Sequence, residues 1–203
     1  RDSSTSRGLG DVYKRQCNIP IFWVALVLMV CAGASEISMA QWASAYTESA
    51  LGLSKSIGDI AGPSLFAVTM GISRSFYGKY GEKIDLMKFM TASGILCLIC
   101  YLLAALGPYP ILGLIGCIMC GFSVGIMWPG TISIASSKIP MGGTAMFALL
   151  AMAGDMGGSI GPCVVGFVTQ NAGDNLKAGM LAGCIFPVIL VLSVCLLKYK
   201  KSK

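Results

Sequence analysis

The sequence predicts an all-α membrane protein, and three observations lead to that prediction. The chain has 203 residues, of which 55% are apolar and only 12% are charged, about half the charged fraction of a soluble domain. Its mean hydropathy is +0.76. Long apolar runs recur along it, separated by short segments with glycine, proline or aspartate. The runs lack the alternating pattern, about ten residues long, of membrane β-strands.

Six of these runs are long enough to cross the hydrocarbon core of a bilayer. About 20 helical residues, at about 1.5 Å each, cover the roughly 30 Å required. Glycine pairs four residues apart occur in four of the runs, and in lipid such pairs let helix backbones pack closely. We therefore expect one bundle of six helices. The predicted spans are 19–46, 57–76, 87–106, 111–134, 144–169 and 178–197.

Lysine and arginine are distributed unevenly between the two ends of the predicted helices. Nine lie on the side of the second and fourth connections and the C-terminal tail, whereas Lys55 and Lys177 lie on the other side. Cytoplasmic segments of membrane proteins carry the excess of positive charge. We therefore predict a multi-pass protein of the plasma or inner membrane with both termini in the cytoplasm. The formal net charge of +6 then needs no nucleic-acid partner.

The first sixteen residues, RDSSTSRGLGDVYKRQ, differ in composition from the rest of the chain. They contain no apolar run and do not begin with methionine. We interpret residues 1–16 as a non-native leader of the kind that adapter read-through produces, with a genuine cytoplasmic loop as the alternative. Residues 17–203 then form the six-helix bundle, and we expect further residues of the protein to precede it.

Two sequence patterns that could suggest a metal site or an active site are not interpreted in that way. Cys97-x-x-Cys100 and Cys117-x-x-Cys120 have the spacing of a zinc site, but both pairs lie inside apolar spans, where no turn is expected to bring four sulfurs together. We therefore predict no metal and no cofactor. The chain has no histidine, which excludes Ser–His hydrolase chemistry, and it has no complete phosphate-binding loop. The sequence does not predict an enzyme.

Polar and aromatic residues follow one face of the first span at spacings of three and four. We predict that they line a cavity, with an interfacial aromatic belt as the alternative for Tyr46. Helices broken by proline at membrane depth also line cavities, so the Gly–Pro positions are predicted breaks. The predicted cavity residues are Ser35, Ser38, Gln41, Trp42, Tyr46 and Trp128, and the predicted breaks are at Pro129, Gly130, Gly161 and Pro162.

Glu36 and Asp155 are carboxylates within apolar runs. An ionised carboxylate near the bilayer centre costs on the order of 3 kcal/mol. Arg74 is assigned to the second cytoplasmic connection. We therefore expect no lysine or arginine within a span to pair with Glu36 or Asp155. Both share helix faces with small residues, so we expect them to face neighbouring protein rather than lipid. They are the candidates for proton coupling, with a hydrogen-bonded structural role as the alternative.

The segment GISRSFYGKYGEK resembles a cytoplasmic loop signature of the major facilitator superfamily, G-x-x-x-D-[RK]-x-G-[RK]-[RK]. Gly71, Gly78 and Lys79 match it. The fifth span, GDMGGSIGPCVVG, is similar to the glycine–proline pattern of that family's eleventh helix. From about Asn18 onward the chain resembles the C-terminal six-helix half of such a transporter. The stretch GASEISMAQWASAYTE and the rest of the chain after it are most similar to the fucose-permease type of sugar:proton symporter. The positions that depart from the loop signature are Ser75, Phe76 and Tyr80.

This resemblance implies two six-helix bundles that rock around a central site. The expected function is proton-coupled uptake of a sugar or similar small polar solute by alternating access. The expected partners are the small-molecule substrate, protons or another coupling cation, the lipid bilayer and a missing N-terminal six-helix half. The alternatives are a drug or metabolite exporter of the same fold, or a stand-alone six-helix membrane scaffold protein.

The charge distribution makes a topology prediction. In a cysteine-free background, single cysteines introduced at 79–83 are expected to react with an impermeant maleimide only from the cytoplasm. Cysteines at 171–177 are expected to react only from the outside, because the positive charge is concentrated on the first of these sides. Labelling of position 79 from the outside would reverse the predicted orientation.

Overall fold

The computed structural model describes residues 18–52, 54–139 and 143–199. The regular elements in these ranges are all helical, as the sequence predicts. The predicted leader, residues 1–16, lies outside the described residues and stays a prediction. The α-helices are α1 Pro20–Leu51, α2 Lys55–Tyr80, α3 Leu86–Leu106, α4 Pro110–Val124, α5 Met127–Lys138, α6 Gly143–Asn171, α7 Leu176–Gly183 and α8 Ile185–Tyr199, with one 3₁₀ turn at Gly81–Lys83.

Five helical segments in the described part of the chain are long and apolar enough to cross a membrane. The segment Pro110–Lys138 combines α4 with α5, and the last segment combines α7 with most of α8. Helix α2 covers the predicted second span and has 26 residues, but it is not among the five. Its charged residues Asp59 and Arg74 lower its hydropathy, so a sixth span stays a prediction. The five segments are Pro20–Glu48, Leu86–Leu106, Pro110–Lys138, Gly143–Asn171 and Leu176–Lys198.

Local sequence accounts for several helix ends. Proline stands in the first turn of α1 and of α4, where a missing N–H costs nothing. Asp85 caps α3 by accepting hydrogen bonds from the N–H groups of Met87 and Lys88. Helix α1 ends at Gly52, whose φ of +63° is a left-handed conformation that glycine adopts without strain.

The closest helix contact joins α1 to α6 through glycine. A Cβ atom at Gly157 would lie 2.8 Å from the Cα atom of Val30, and one at Gly161 would lie 2.6 Å from the carbonyl oxygen of Ala34. Gly33 of α1 meets the backbone of Gly154 in the same way. The two backbones therefore touch, as is usual for small residues four apart in membrane helices.

The other glycine pairs are also packing surfaces, which confirms that prediction. Gly58 and Gly62 of α2 lie against α1, and a Cβ at Gly62 would come 2.6 Å from the carbonyl oxygen of Ala43. Gly121 lies against Phe66 and Thr69 of α2. Near the end of the chain, Gly179 and Gly183 of α7 are in equally close contact with α6 and α3, at Thr169, Val165 and Tyr101.

Helix α1 is the central helix of the bundle. It contacts α2, α4, α5, α6 and α8. Two buried tyrosines join it to α3. The hydroxyl of Tyr101 in α3 donates to the carbonyl oxygen of Ser35 at 2.8 Å. The hydroxyl of Tyr46 in α1 donates to the carbonyl oxygen of Ala104 at 2.8 Å. Because the phenolic groups are satisfied by backbone carbonyls, they cost little to bury.

Several helices keep an open apolar face, and α6 and α2 are two of them. Helix α6 is the least covered of the five apolar segments, and its Phe167 is 69% exposed. Helix α2 likewise leaves large apolar side chains uncovered, among them Ile60 at 71% exposure. Lipid or another part of a protein can cover such faces.

The contact between α1 and α6 generates a stability prediction. We expect Gly157→Ala to lower the free energy of unfolding by about 1–3 kcal/mol, because the added methyl meets backbone atoms of Val30 that cannot rotate away. The measurement is the thermal midpoint of the purified protein in detergent. Gly166→Ala in the same helix is the matched control, since a Cβ there meets nothing within 4 Å. An equal loss in both variants would mean that the close approach does not matter.

Candidate functional site

The fourth span is broken at the junction of α4 and α5. Helix α4 ends at Val124 and α5 begins at Met127. Pro129 has no N–H group, so it cannot bond to the carbonyl oxygen four residues earlier, that of Gly125. The predicted break at Pro129 and Gly130 therefore lies about one turn too late. Gly130 itself is buried inside α5 against Met90 of α3.

The predicted break at Gly161 and Pro162 is wrong. Helix α6 runs without interruption from Gly143 to Asn171, with Pro162 inside it. Gly161 lets α1 pack closely on α6, because Ala34 and Ser38 of α1 lie where its side chain would be. A membrane helix can stay continuous through a proline when neighbouring helices pack closely against it, as α1 does here.

Arg74 of α2 replaces the hydrogen bond that Pro129 removes. Its Nε atom donates to the carbonyl oxygen of Gly125 at 3.3 Å. About two turns earlier along α4, the hydroxyl of Thr69 donates to the carbonyl oxygen of Ile118 at 2.7 Å. Helix α2 is therefore bound to α4 by side chain–backbone hydrogen bonds at two levels.

Glu36 lies half-buried on α1. Its Oε2 atom is buried and has no hydrogen-bond partner among the described residues. The expectation that no lysine or arginine lies within a span does not hold for Arg74. This residue was assigned to the cytoplasmic connection, but it lies inside α2, which continues as a helix to Tyr80.

Asp155 does not face another helix among the described residues, so the expectation that it faces neighbouring protein stays a prediction. Its side chain is exposed, as are those of Met152, Met156 and Ser159 on the same helix. The glycines next to it, Gly154 among them, form the side of α6 that packs on α1. Asp155 therefore lies on the open face of α6, where this bundle offers it no partner.

Four of the six predicted cavity residues contain a buried polar atom without a hydrogen bond in the described structure. Buried polar groups in proteins almost always have a partner, which is water or a ligand where the protein supplies none. The ring of Trp128 lies over Gly154, so that a Cβ there would be 2.5 Å from it. Gly154 in turn contacts Gly33, less than one turn from Glu36. The four atoms are Ser35 Oγ, Ser38 Oγ, Trp42 Nε1 and Trp128 Nε1.

The other two predicted cavity residues differ. Gln41 is exposed. Tyr46 is buried, satisfied by its bond to Ala104 and packed against Gly113. Its remaining surface borders a separate cavity of about 300 Å³ near Lys177, at the end of the bundle away from the α2–α3 connection. Tyr46 is therefore neither an interfacial belt residue nor part of the Glu36 region.

The residues of the loop signature lie in a helix rather than a loop. Gly71, Gly78 and Lys79 all belong to α2, and a Cβ at either glycine would meet nothing within 4 Å. The Nζ atom of Lys79 lies 5.4 Å from the ring centroid of Tyr80. The connection to α3 is correspondingly short and begins with the 3₁₀ turn.

The two cysteine pairs meet, although no turn was expected to bring them together. Helices α3 and α4 pack against each other, and the sulfur atoms of Cys97 and Cys120 are 3.8 Å apart. Cys117 contacts the sulfur of Met39 instead, at 3.5 Å. Among the residues the structure describes, no group of three or more potential ligands is arranged to hold a metal ion.

These features define a multi-pass membrane protein with polar groups enclosed in its helical bundle. The family model of the Major Facilitator Superfamily matches residues 2–162, and the chain belongs to this family of membrane transporters. No curated protein and no solved structure matches the chain.

Proposed function

We propose that this chain is the C-terminal six-helix half of a transporter that couples proton movement to the uptake of a sugar or similar small polar solute. The observation that carries the proposal is Glu36: a half-buried carboxyl group with a partnerless oxygen, on the central helix. In a transporter of two rocking bundles, such a group faces each side of the membrane in turn.

Proton exchange suits the surroundings of Glu36. An ionised carboxylate at membrane depth costs on the order of 3 kcal/mol, and a protonated one avoids most of that cost. Because the Glu36 side chain is only half-buried, the ionised form can keep part of its hydration. These surroundings suit a group that changes its protonation state, which proton coupling requires.

The partnerless atoms support a polar but uncharged substrate. Ser35 and Ser38 offer hydroxyl groups, and Trp42 and Trp128 offer indole N–H donors. The flat indole faces can pack on the apolar face of a sugar ring while the N–H groups bond to its hydroxyls. This composition is the reason for preferring a sugar to a lipid or a metal ion.

The uncovered faces support a missing second bundle. Helix α6 exposes Asp155 together with apolar side chains, and α2 exposes a further apolar face although it is the least apolar long helix. A helix with the charges of α2 is better placed between protein surfaces than in lipid. We therefore propose that α2 is the sixth span. The lysine and arginine distribution favours an inner or plasma membrane location with both described ends in the cytoplasm.

A drug or metabolite exporter of the same fold is the main alternative, because the polarity of a cavity does not set the direction of transport. A stand-alone scaffold is the less favoured alternative. A scaffold has no use for a partnerless carboxyl oxygen beside four partnerless polar atoms, which cost free energy to bury.

The coupling role of Glu36 is tested by Glu36→Gln in the complete transporter. We expect this variant to retain substrate binding and counterflow exchange but to lose accumulation driven by an imposed pH gradient. The amide keeps the size of the side chain and cannot carry a proton across. Uptake of radiolabelled sugars into proteoliposomes, with and without the gradient, measures both quantities.

Asp155→Asn is the parallel variant. The same separation in both variants would indicate a proton relay, whereas normal accumulation by Asp155→Asn would leave Glu36 as the sole coupling group of this half. Wild-type accumulation by Glu36→Gln would refute its coupling role. Solute efflux coupled to proton entry in the wild type would favour the exporter.

The half-transporter proposal makes a second prediction. Residues 17–203 alone are expected to insert into membranes but not to transport, because the central site needs a facing bundle. Co-expression with the natural N-terminal half should restore uptake. The measurement is vesicle uptake with matched expression levels, and robust uptake by this segment alone would favour a homodimer over two unlike halves.

A further inference from the structure

The two parts of the fourth span share two neighbours, since both α4 and α5 contact α1 and α3. Helix α4 also packs on α2, through the contact of Gly121 with Thr69. The ring of Trp128 in α5 lies on Gly154 of α6. The junction itself lies against α2, where Gly125 contacts Ser73.

The backbone of this junction is weak. Pro129, in the first turn of α5, leaves the carbonyl oxygen of Gly125 without its helical donor. Gly125 has no side chain to stiffen the junction. Among the described residues, the donor that reaches this carbonyl is Arg74 Nε, at 3.3 Å. The remaining nitrogens of the guanidinium group stay available for other acceptors.

We propose that Arg74 is a positioning residue for the transport cycle, stabilising the junction between α4 and α5 by donating to the Gly125 carbonyl oxygen that Pro129 leaves without a helical donor. This role does not depend on the proposed coupling role of Glu36.

Hydrogen–deuterium exchange of the complete transporter, followed by mass spectrometry on peptides covering 122–130, tests the proposal without any substrate. We expect Arg74→Gln to speed exchange of the junction amides roughly ten-fold, the effect of losing one charge-assisted hydrogen bond. Arg74→Lys should lie in between, because an ammonium group lacks the planar guanidinium geometry. Lys79→Gln is the matched control on the same helix, and we expect it to leave these peptides unchanged.

The decisive variant is Pro129→Ala, which supplies an N–H group to the Gly125 carbonyl. In Arg74→Gln/Pro129→Ala we expect exchange at the junction to return to the wild-type rate or below it. Unchanged exchange in Arg74→Gln would overturn the proposal, and so would undiminished acceleration in the double variant, since the effect would then not pass through this carbonyl.

Loss of proton-driven accumulation in Glu36→Gln, together with unchanged exchange in Arg74→Gln, would leave the proposed function standing and refute only the role of Arg74. Normal accumulation in Glu36→Gln, together with faster exchange in Arg74→Gln, would refute the coupling role of Glu36 and leave the role of Arg74 standing.

Discussion

Direct backbone contact between α1 and α6 is the constraint on which the rest of the bundle depends. Lipid provides no hydrophobic drive for helix association, so membrane helices rely on close packing and hydrogen bonds. Gly33, Gly154, Gly157 and Gly161 remove the side chains that would keep the two helices apart. With α6 pressed against one side of α1, the other sides receive α2, α4, α5 and α8. Glu36 consequently lies at the centre of the bundle without being fully covered.

A second constraint is the need to satisfy backbone groups where no water is available. Each proline in a helix leaves one carbonyl oxygen without its usual donor. At Gly125 an arginine from another helix, Arg74, donates a hydrogen bond to that carbonyl oxygen. In α6 the close approach of α1 keeps the helix whole around Pro162. The helix is interrupted one turn before Pro129 but runs through Pro162, so a proline alone does not decide whether a span is interrupted.

Much of the fold was predictable, because helices in lipid must satisfy their own backbone and their length follows from bilayer thickness. The glycine faces were predictable for a similar reason, since the spacing of four is a local pattern. The arrangement of the candidate site was less predictable from the sequence. The exposure of Asp155 depends on which face of α6 meets α1, and small residues lie on both of its sides. Arg74 was missed because the end of α2 cannot be located from hydropathy when the charges begin before the helix ends. The meeting of Cys97 with Cys120 depends on how α3 and α4 pair, which spacing within each helix does not specify.

The glycine contact also determines how the two carboxylates can move. No flexible side chains separate the backbones of α1 and α6 at Gly33 and Gly157, so little can deform between them. Glu36 and Asp155 lie on different sides of this closely packed pair of helices. A rotation of the two helices as a unit carries both carboxylates through the same angle and leaves the distance between them unchanged. What changes for each carboxylate is the surface opposite it, so under the proposed coupling those surfaces, and not the pair of helices, set the timing of proton uptake and release.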